Sequence, residues 1–252
     1  MLLREKCKES KSLKLPFLWL RYKNNFYKEH PDYFDADGLT IFVGPQGSGK
    51  TLSAVNYVYR LLQDYPRSKL VTNLALLDYP LDGERVFPFC NNDDFARYSN
   101  GEYGVIFLVD EIQLYLNSLE SRNINLDVVA QISQQRKQRK HIVATSQVFG
   151  RMAKPLREQF DSVLLCRNYF GFLQCNQLID RNSISSDNSA DCNVSGDVVS
   201  KFWWFHSPEM YGRYDTSVVI ERGKFTSGEN QVKGVLDDGR FDALGSCLAG
   251  NS

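Results

Sequence analysis

The segment that most constrains how this chain folds is the glycine-rich stretch 44–51, GPQGSGKT, which matches G-x-x-x-x-G-K-[ST] at every position. The apolar run 39–43 precedes it and has the length of a buried strand. After it, apolar side chains recur at three- and four-residue steps, as on one face of a helix that begins near Lys50. These side chains are Leu52, Val55, Tyr59 and Leu62. Strand, glycine loop and helix in this order predict a phosphate-binding loop at a helix N-terminus.

This loop predicts a site for a nucleoside triphosphate and Mg²⁺. Its glycines allow backbone N–H groups to turn toward a chain of phosphates, and the helix N-terminus adds positive potential there. Lys50 is predicted to reach the β- and γ-phosphates, and Thr51 is predicted to hold Mg²⁺. The predicted nucleotide-binding residues are Gly44, Pro45, Gln46, Gly47, Ser48, Gly49, Lys50, Thr51 and Leu52.

Two adjacent carboxylates, Asp110 and Glu111, follow the apolar run 105–109. Five consecutive large apolar residues indicate a central strand that is covered on both faces. Open α/β sheets bind ligands at the carboxyl ends of such strands, so we expect Asp110 to hold Mg²⁺. For Glu111 two interpretations stay open. It either orients and polarises the water that attacks the γ-phosphate, or it is a solvated or helix-capping residue.

A second polar side chain is predicted at the same edge of the sheet. The run 141–147 reads as another buried strand that ends in Gln147, whose amide has the groups to bond both a γ-phosphate and the lytic water. Between the two strands, 125–140 is predicted to be a helix that closes with Arg136 and Arg139. From 131 to 157 the chain carries seven Lys or Arg and no acid.

That basic segment has three interpretations. Cations stabilise a helix C-terminus; they contact the phosphates of a nucleic acid; or one of them is an arginine finger for a neighbouring subunit's γ-phosphate. Arg136 and Arg139 are the finger candidates. Because they precede the Gln147 strand, we expect them at the edge of the nucleotide cleft.

Composition restricts the class of protein. The chain has 252 residues, which fits one large domain or one large domain plus a small appendage. Its 30 Lys+Arg against 30 Asp+Glu exclude a generally basic nucleic-acid coat. Six scattered cysteines without a C-x-x-C pair predict reduced thiols and a cytosolic protein. No apolar run approaches the roughly 20 residues that cross a bilayer.

The predicted organisation has three parts. Residues 1–30 form a basic aromatic extension, which is either a nucleic-acid or membrane arm or a segment that packs its aromatic rings on the domain. Residues 31–222 form the nucleotide-binding domain, with further strands at 68–73, 161–167, 170–179 and 201–206, a short helix in 91–99 and a mobile loop at about 181–200. Residues 223–252 form a flexible tail.

With these residues placed, the chain resembles the zonular occludens toxin (Zot) family of P-loop ATPases, the filamentous-phage morphogenesis proteins within the FtsK–HerA group of DNA-pumping motors. The resemblance covers about 38–180 and rests on GPQGSGKT, VIFLVDE, the intervening arginines and HIVATSQ. It implies an α/β fold with a mostly parallel sheet flanked by helices, of the additional-strand, catalytic-glutamate type. The Gln147 strand would then lie between the P-loop strand and the Asp110 strand.

The resemblance also implies roles and partners. ATP and Mg²⁺ would be held by Lys50, Thr51 and Asp110, with Glu111 as base and Gln147 as γ-phosphate sensor. The chain would form a homo-oligomeric ring in the host cytoplasm, act on phage DNA or virion-assembly proteins, and contact the inner membrane only peripherally. Many members carry a transmembrane helix after the ATPase domain, and this chain has none, which favours a packaging or replication motor over self-anchored extrusion. The alternative is a nucleotide switch that binds a partner protein and moves no polymer.

Overall fold

An eight-stranded, mostly parallel sheet forms the centre of the fold. The computed structural model describes residues 15–30, 32–36, 38–77, 83–115, 138–152, 154–184 and 196–215. The strands are β1 Gly38–Val43, β2 Lys69–Thr72, β3 Ala75–Leu76, β4 Val86–Pro88, β5 Val105–Val109, β6 Lys140–Ser146, β7 Ser162–Tyr169, β8 Leu173–Ile179, β9 Val198–Phe205 and β10 Tyr214–Asp215. The helices are α1 Leu15–Glu29, α2 Lys50–Asp64, α3 Asp94–Arg97, α4 Lys154–Arg157 and α5 Pro208–Tyr211.

The strand order is β4-β2-β5-β6-β1-β7-β8-β9. Strands β4 to β7 in this order are parallel, while β8 and β9 pair antiparallel. Strand β6 therefore lies between β1 and β5, as the resemblance implied. The α/β prediction with a mostly parallel sheet is confirmed.

The central strands are apolar because both faces of the sheet are covered. All residues of β1, β5 and β6 are buried, which matches the apolar sequence of β5 and the apolar centres of β1 and β6. On one face, α2 packs Val55, Val58 and Leu62 against the sheet. On the other face, Phe149 and Phe160 close the core. Burial on both faces fixes how far each strand extends along the sheet. It therefore also fixes where the polar residues at the end of each strand lie.

The helix predicted after the glycine loop is α2, which starts at Lys50. Its side chains Leu52, Val55 and Leu62 are buried, whereas Tyr59 is partly exposed. The guanidinium of Arg213 lies 3.6 Å from the centre of the Tyr59 ring. Arg213 belongs to the segment that crosses α2 and then pairs, through β10, with β3. The P-loop helix is thus packed against the sheet on one side and against this segment on the other.

Several predicted boundaries need correction. Between the predicted strand 68–73 and the predicted helix in 91–99, where no strand was predicted, the chain forms two short strands, β3 and the sheet-edge strand β4. Pro88 is tolerated in β4 because an edge strand need not donate on its outer side. Strand β9 starts at Val198, so the predicted loop 181–200 ends earlier. Its part 185–195, like the entire predicted tail 223–252, lies outside the described residues.

The helix predicted for 125–140 does not extend to its expected end. Arg139 has φ 53°, which is not helical, and Lys140 is the first residue of β6. The basic residues were predicted to lie at a helix C-terminus. Arg139 and Lys140 instead form the turn that leads into the buried strand β6. Residues 116–137, including Arg136, lie outside the described residues.

The described part of the N-terminal extension packs aromatic rings together. The ring of Phe26, in α1, lies 4.8 Å from His30 and 4.9 Å from Tyr33, measured between centroids. Lys23 lies 3.8 Å from the Asp35 carboxylate. None of the described helices is long and apolar enough to cross a membrane.

The cysteine prediction is confirmed in part. Cys166 and Cys175 are free and buried. Burial raises the pKa of the Cys166 thiol to about 12, so this thiol stays protonated and unreactive at neutral pH. For Cys90 the prediction of a reduced thiol is wrong, because this residue is disulfide-bonded.

Candidate nucleotide site

The loop between β1 and α2 has the backbone that its glycines predict. Gly49 has φ 79°, and a Cβ built there would lie 2.3 Å from Oε1 of Gln174. Gly44 has φ 151°, and its Cβ would lie 2.9 Å from the carbonyl oxygen of Cys166. Both positions combine a positive φ with a close approach, so only glycine suits them. The loop is therefore held against β7 and β8, with its backbone free of side chains where phosphates would lie.

Lys50 and Thr51 lie where the loop meets α2. Lys50 is 6% exposed, and its Nζ donates to the carbonyl oxygen of Pro45 across the loop at 3.1 Å. Thr51 Oγ1 donates to Oδ1 of Asp110 at 3.0 Å. The cation thus lies inside the loop, and a hydroxyl and a carboxylate from different elements come within bonding distance beside it.

Asp110 is positioned by the two neighbouring strands. Asn73, which follows β2, accepts from the Asp110 backbone N–H at 2.8 Å and donates to the Asp110 carbonyl at 2.9 Å. Thr145, in β6, donates its hydroxyl to Asp110 Oδ1 at 2.6 Å and accepts from the Glu111 backbone N–H at 2.9 Å. The main chain of Asp110 and one oxygen of its carboxylate are therefore fixed from both sides.

Glu111 and Gln147 form a direct pair. Gln147 Nε2 donates to Glu111 Oε1 at 2.7 Å, and the Gln147 backbone N–H donates to Oε2 at 3.3 Å. The side-chain amide of Gln113 also donates to Oε2. Glu111 has φ 50° and ψ 50°, a left-handed conformation that non-glycine residues rarely adopt and that concentrates at functional sites. The predicted base and the predicted sensor are therefore held against each other at the end of adjacent strands.

The electrostatics of the site favour a cation next to Asp110. Burial raises the pKa of the Asp110 carboxyl, hydrogen bonds from Thr145 and Thr51 lower it, and the neighbouring charge of Glu111 raises it again, with a net increase. Burial also raises the pKa of Tyr214 to about 12, and the charge of Asp110 adds to that increase. A divalent cation would stabilise the ionised form of Asp110 against this burial.

The residues present fit a nucleoside triphosphate with Mg²⁺. The loop presents positive-φ glycines, an enclosed lysine and, among the described residues, a buried Ser48 Oγ without a hydrogen-bond partner. Such an orphaned hydroxyl calls for a ligand oxygen or water. Thr51 and Asp110 supply the hard oxygen ligands that Mg²⁺ prefers. The described residues contain no cluster of three or more His, Cys, Asp or Glu that would hold a metal by protein ligands alone.

A cavity of about 730 Å³ lies beside the loop, on the side away from Asp110. It lies between loop residues 45–48 and the strands β7, β8 and β9, where Arg167, Tyr169 and Gln177 line it. Gln174 supports the loop from β8, since its Nε2 donates to the Ser48 carbonyl at 2.9 Å and its side chain is completely buried. The antiparallel end of the sheet therefore forms one wall of the nucleotide site.

The structure brings most of the predicted residues together and separates Arg139 from them. The loop, Asp110, Glu111 and Gln147 share the carboxyl edge of the parallel strands. Arg139 lies at the opposite edge, because it precedes β6 and its carbonyl accepts from Val105, the first residue of β5, at 3.0 Å. Its guanidinium lies 4.2 Å from the centre of the Tyr33 ring and donates to the Tyr33 hydroxyl at 3.2 Å. The expected position of Arg139 beside the nucleotide cleft is wrong.

Three site residues were not predicted: Asn73, Gln113 and Thr145. A sequence signal existed for Asn73, which directly follows the apolar run of β2, and for Thr145, which lies near the end of β6. Polar residues at the carboxyl ends of parallel strands converge on one edge, so the two could have been found by the rule that located Asp110.

Sheet order and site together define a P-loop NTPase fold of the additional-strand type. Similar solved structures include the N-terminal domain of zonular occludens toxin from Neisseria meningitidis, at 18% identity and a TM-score of 0.47 over 71% of this chain and 98% of that one. They also include the genome packaging NTPase B204 from Sulfolobus turreted icosahedral virus 2 with ATP-gammaS, at 13% identity and a TM-score of 0.41 over 51% and 74%. No family model and no curated protein matches the chain.

Proposed function

We propose that this protein is a Mg²⁺-dependent ATPase that drives DNA packaging, DNA translocation or virion assembly for a phage or another mobile element. The observation that carries the hydrolytic part is the Glu111–Gln147 pair, with 2.7 Å between Oε1 and Nε2, at the carboxyl edge next to Asp110. Nucleotide binding alone requires the loop, whereas hydrolysis also requires a base and a group that orients water beside the γ-phosphate.

The proposed roles follow from these positions. Lys50 and the loop backbone bind the phosphates of ATP. Thr51 and Asp110 would hold Mg²⁺, which neutralises phosphate charge when bound. Glu111 accepts the proton of the attacking water, and Gln147 orients that water and senses the γ-phosphate. Asn73 and Thr145 are positioning residues, since they fix Asp110 and the Glu111 backbone and touch neither water nor phosphate in this assignment.

Assembly and partners belong to the same proposal. Transition-state charge on the γ-phosphate needs a cation from outside the loop, and a neighbouring subunit in a ring would supply it. Of the two arginines predicted for this finger, we propose Arg136, because Arg139 is packed on Tyr33 at the far edge of the sheet. The proposed partners are phage DNA or virion-assembly proteins, as the resemblance of the sequence motifs implies.

The proposed compartment is the host cytoplasm, where ATP is available, with peripheral contact to the inner membrane. The disulfide at Cys90 does not support it, because cytosolic disulfides are rare.

The test is the Glu111→Gln variant, which keeps the shape of the side chain and removes its basicity. We expect it to bind ATP and Mg²⁺ as the wild type does and to lose turnover by about a hundredfold or more. Glu84→Gln is the matched control, since Glu84 is exposed and lies just before β4 at the opposite edge of the sheet. Hydrolysis by Glu111→Gln at the wild-type rate would reject the proposed base.

The nucleotide switch remains as a second candidate, and one observation favours it. Both carboxylate oxygens of Glu111 accept hydrogen bonds from amide side chains, from Gln147 and from Gln113, so part of the carboxylate's capacity to accept from a water molecule is already used. A switch would bind ATP tightly and hydrolyse it slowly whatever DNA is added. Measured turnover with and without DNA therefore separates the switch from the motor.

A further inference from the structure

The antiparallel end of the sheet exposes a continuous set of aromatic rings. Trp203 is 54% exposed, Phe205 is 67% exposed and Phe170 is 85% exposed. Rings of this size are normally buried, and contiguous exposed apolar surface marks an interaction site. We call this set the aromatic platform. Its members are Tyr169, Phe170, Phe172, Trp203 and Phe205.

The platform rings share an orientation. Phe172 and Phe205 have parallel planes, 9° apart, with centroids separated by 6.3 Å, and Phe170 lies 6.1 Å from Phe172 at 27°. Tyr169 and Trp203 lie 5.6 Å apart at 31°. Trp203 and Phe205 alternate along β9, so they project from the same face of the sheet roughly 7 Å apart. The result is an extended surface made of two groups of nearly parallel rings rather than a single aromatic pocket.

Two cations lie beside the rings on the same face. Arg167 lies across Cys175 from Trp203, and Lys201 lies two residues before Trp203 on β9. Arg167 and Lys201 are both exposed. On this face of β7, β8 and β9 the described residues include no acidic side chain. The platform is therefore aromatic and positively charged.

We propose that the aromatic platform binds single-stranded nucleic acid. Unpaired bases offer flat faces that stack on aromatic side chains, and the phosphates between them pair with interleaved cations. A duplex hides its base faces within its own stack and would gain only the charge contribution. The base of one bound ATP would cover a single ring of the five. A protein partner is the competing occupant, since aromatic residues and Arg are also enriched in protein interfaces, and the self-association measurement separates the two.

The platform adjoins the nucleotide site. Arg167 and Tyr169 line the cavity whose other wall is loop residues 45–48. A strand lying on the platform would thus reach the loop that binds the phosphates of ATP. From this contact we expect bound strand to change the rate of hydrolysis. That coupling rests on the proposed ATPase function, whereas binding to the platform does not.

The experiment measures binding of a fluorescein-labelled oligothymidylate to the full chain by fluorescence anisotropy, without nucleotide. Trp203→Ala and Phe205→Ala should each weaken binding about five- to a hundredfold, the loss expected for one stacked base. Trp203→Phe should retain most of the affinity, because it keeps a ring face. Leu77→Ala is the matched control, since Leu77 is 49% exposed and lies after β3, outside the platform.

Salt dependence gives a second readout. Arg167→Ala and Lys201→Ala should each reduce the slope of log affinity against log salt by about 0.7, the value for one phosphate contact on a single strand. An unlabelled oligothymidylate should compete at much lower concentration than a duplex of equal length. A duplex that competes equally well would overturn the proposal.

Two further outcomes would also overturn it. One is wild-type oligothymidylate affinity in both Trp203→Ala and Phe205→Ala with unchanged far-UV circular dichroism. The other is loss of self-association in these variants without loss of oligothymidylate binding, which would make the platform a contact between copies of this chain. Failure of the ATPase proposal can be distinguished from failure of the platform proposal, because Glu111→Gln should bind the oligonucleotide with the same affinity as the wild type. Trp203→Ala should keep basal hydrolysis and lose only its change with added strand.

Discussion

Asn73 holds the backbone of Asp110 through two reciprocal hydrogen bonds, at 2.8 and 2.9 Å, from the neighbouring strand. Thr145 holds one carboxylate oxygen of Asp110 from the other neighbour at 2.6 Å. Metal affinity and turnover depend on such supporting groups because they fix the ligand that touches the ion. At the scale of single residues, Asp110 is therefore held in place by hydrogen bonds from polar residues at the ends of the two neighbouring strands.

We expect Asn73→Ala to destabilise the protein by about 1–3 kcal/mol, since it leaves the Asp110 backbone N–H and carbonyl without their partner. It should also raise the Mg²⁺ concentration needed for half-maximal hydrolysis, because Asp110 is no longer held in place. Urea unfolding and a Mg²⁺ titration measure the two effects. Asn182→Ala, at an exposed position, is the control. Unchanged Mg²⁺ dependence in a destabilised variant would reduce Asn73 to a purely structural role.

Residue identities in the loop and at Asp110 could be predicted because their chemistry depends on residue type at fixed spacing. Asn73, Gln113 and Thr145 carry no such spacing. Their contacts arise from the parallel alignment of β2, β5 and β6. This alignment brings residues that are far apart in sequence to the same carboxyl edge of the sheet. Sequence reasoning found the residues that would touch the nucleotide and missed those that position them.

At the scale of elements, β8 supports the phosphate-binding loop. Gln174 donates to the Ser48 carbonyl at 2.9 Å and to Oδ1 of Asn176 at 3.0 Å, and Ser53 of α2 donates to the same Asn176 oxygen at 3.2 Å. These buried hydrogen bonds join β8, the loop and α2 into one unit. Buried networks of this kind fix geometry when every member is satisfied.

Gln174→Ala should therefore loosen the loop and weaken ATP binding. Removing the buried amide leaves the Ser48 carbonyl without its donor, which costs about 1–3 kcal/mol. Isothermal titration with a non-hydrolysable ATP analogue and thermal unfolding check the two effects. Gln63→Ala is a control of the same residue type, since Gln63 is exposed in the last turn of α2, at the end of the helix away from the loop. Equal ATP affinity in both variants would show that the β8 contact does not shape the loop.

The position of Arg139 shows why elements were easier to predict than their placement. Strand β6 was expected from its apolar run, and it is present. The arginine before it was expected at the nucleotide cleft, but parallel strands place the start of β6 at the edge opposite the loop. A basic run alone does not say at which edge of the sheet it lies, because that depends on strand direction.

At the scale of the whole molecule, the sheet order followed from the resemblance of the motifs and not from composition or periodicity. The sequence did not predict that β8 and β9 expose a surface of aromatic rings. The pattern of 201–206 predicts a strand, but it does not indicate which face of that strand stays exposed to solvent. Burial depends on neighbours, and the neighbours of β9 are known only once the strands are ordered. The predicted parts 1–30, 31–222 and 223–252 remain a prediction.

The last prediction concerns the whole assembly and tests whether the site is completed between subunits. If Arg136 is a finger in trans, Arg136→Ala should bind ATP normally and lose turnover by roughly a thousandfold or more. Arg139→Ala should keep its turnover per folded molecule, because Arg139 packs on Tyr33 at the opposite edge of the sheet. The pair of variants thus separates a catalytic cation from a structural one within the same basic segment.

Mixing variants makes the test specific for a shared site. Lys50→Ala protein lacks the cation for the β- and γ-phosphates but keeps Arg136, and Arg136→Ala protein has the opposite defect. Each is inactive alone, so hydrolysis regained on mixing requires one subunit to complete the other's site. Wild-type activity should also rise faster than linearly with protein concentration. Activity strictly proportional to concentration, in a protein that sediments as a monomer with ATP bound, would contradict a trans finger and with it the proposed ring.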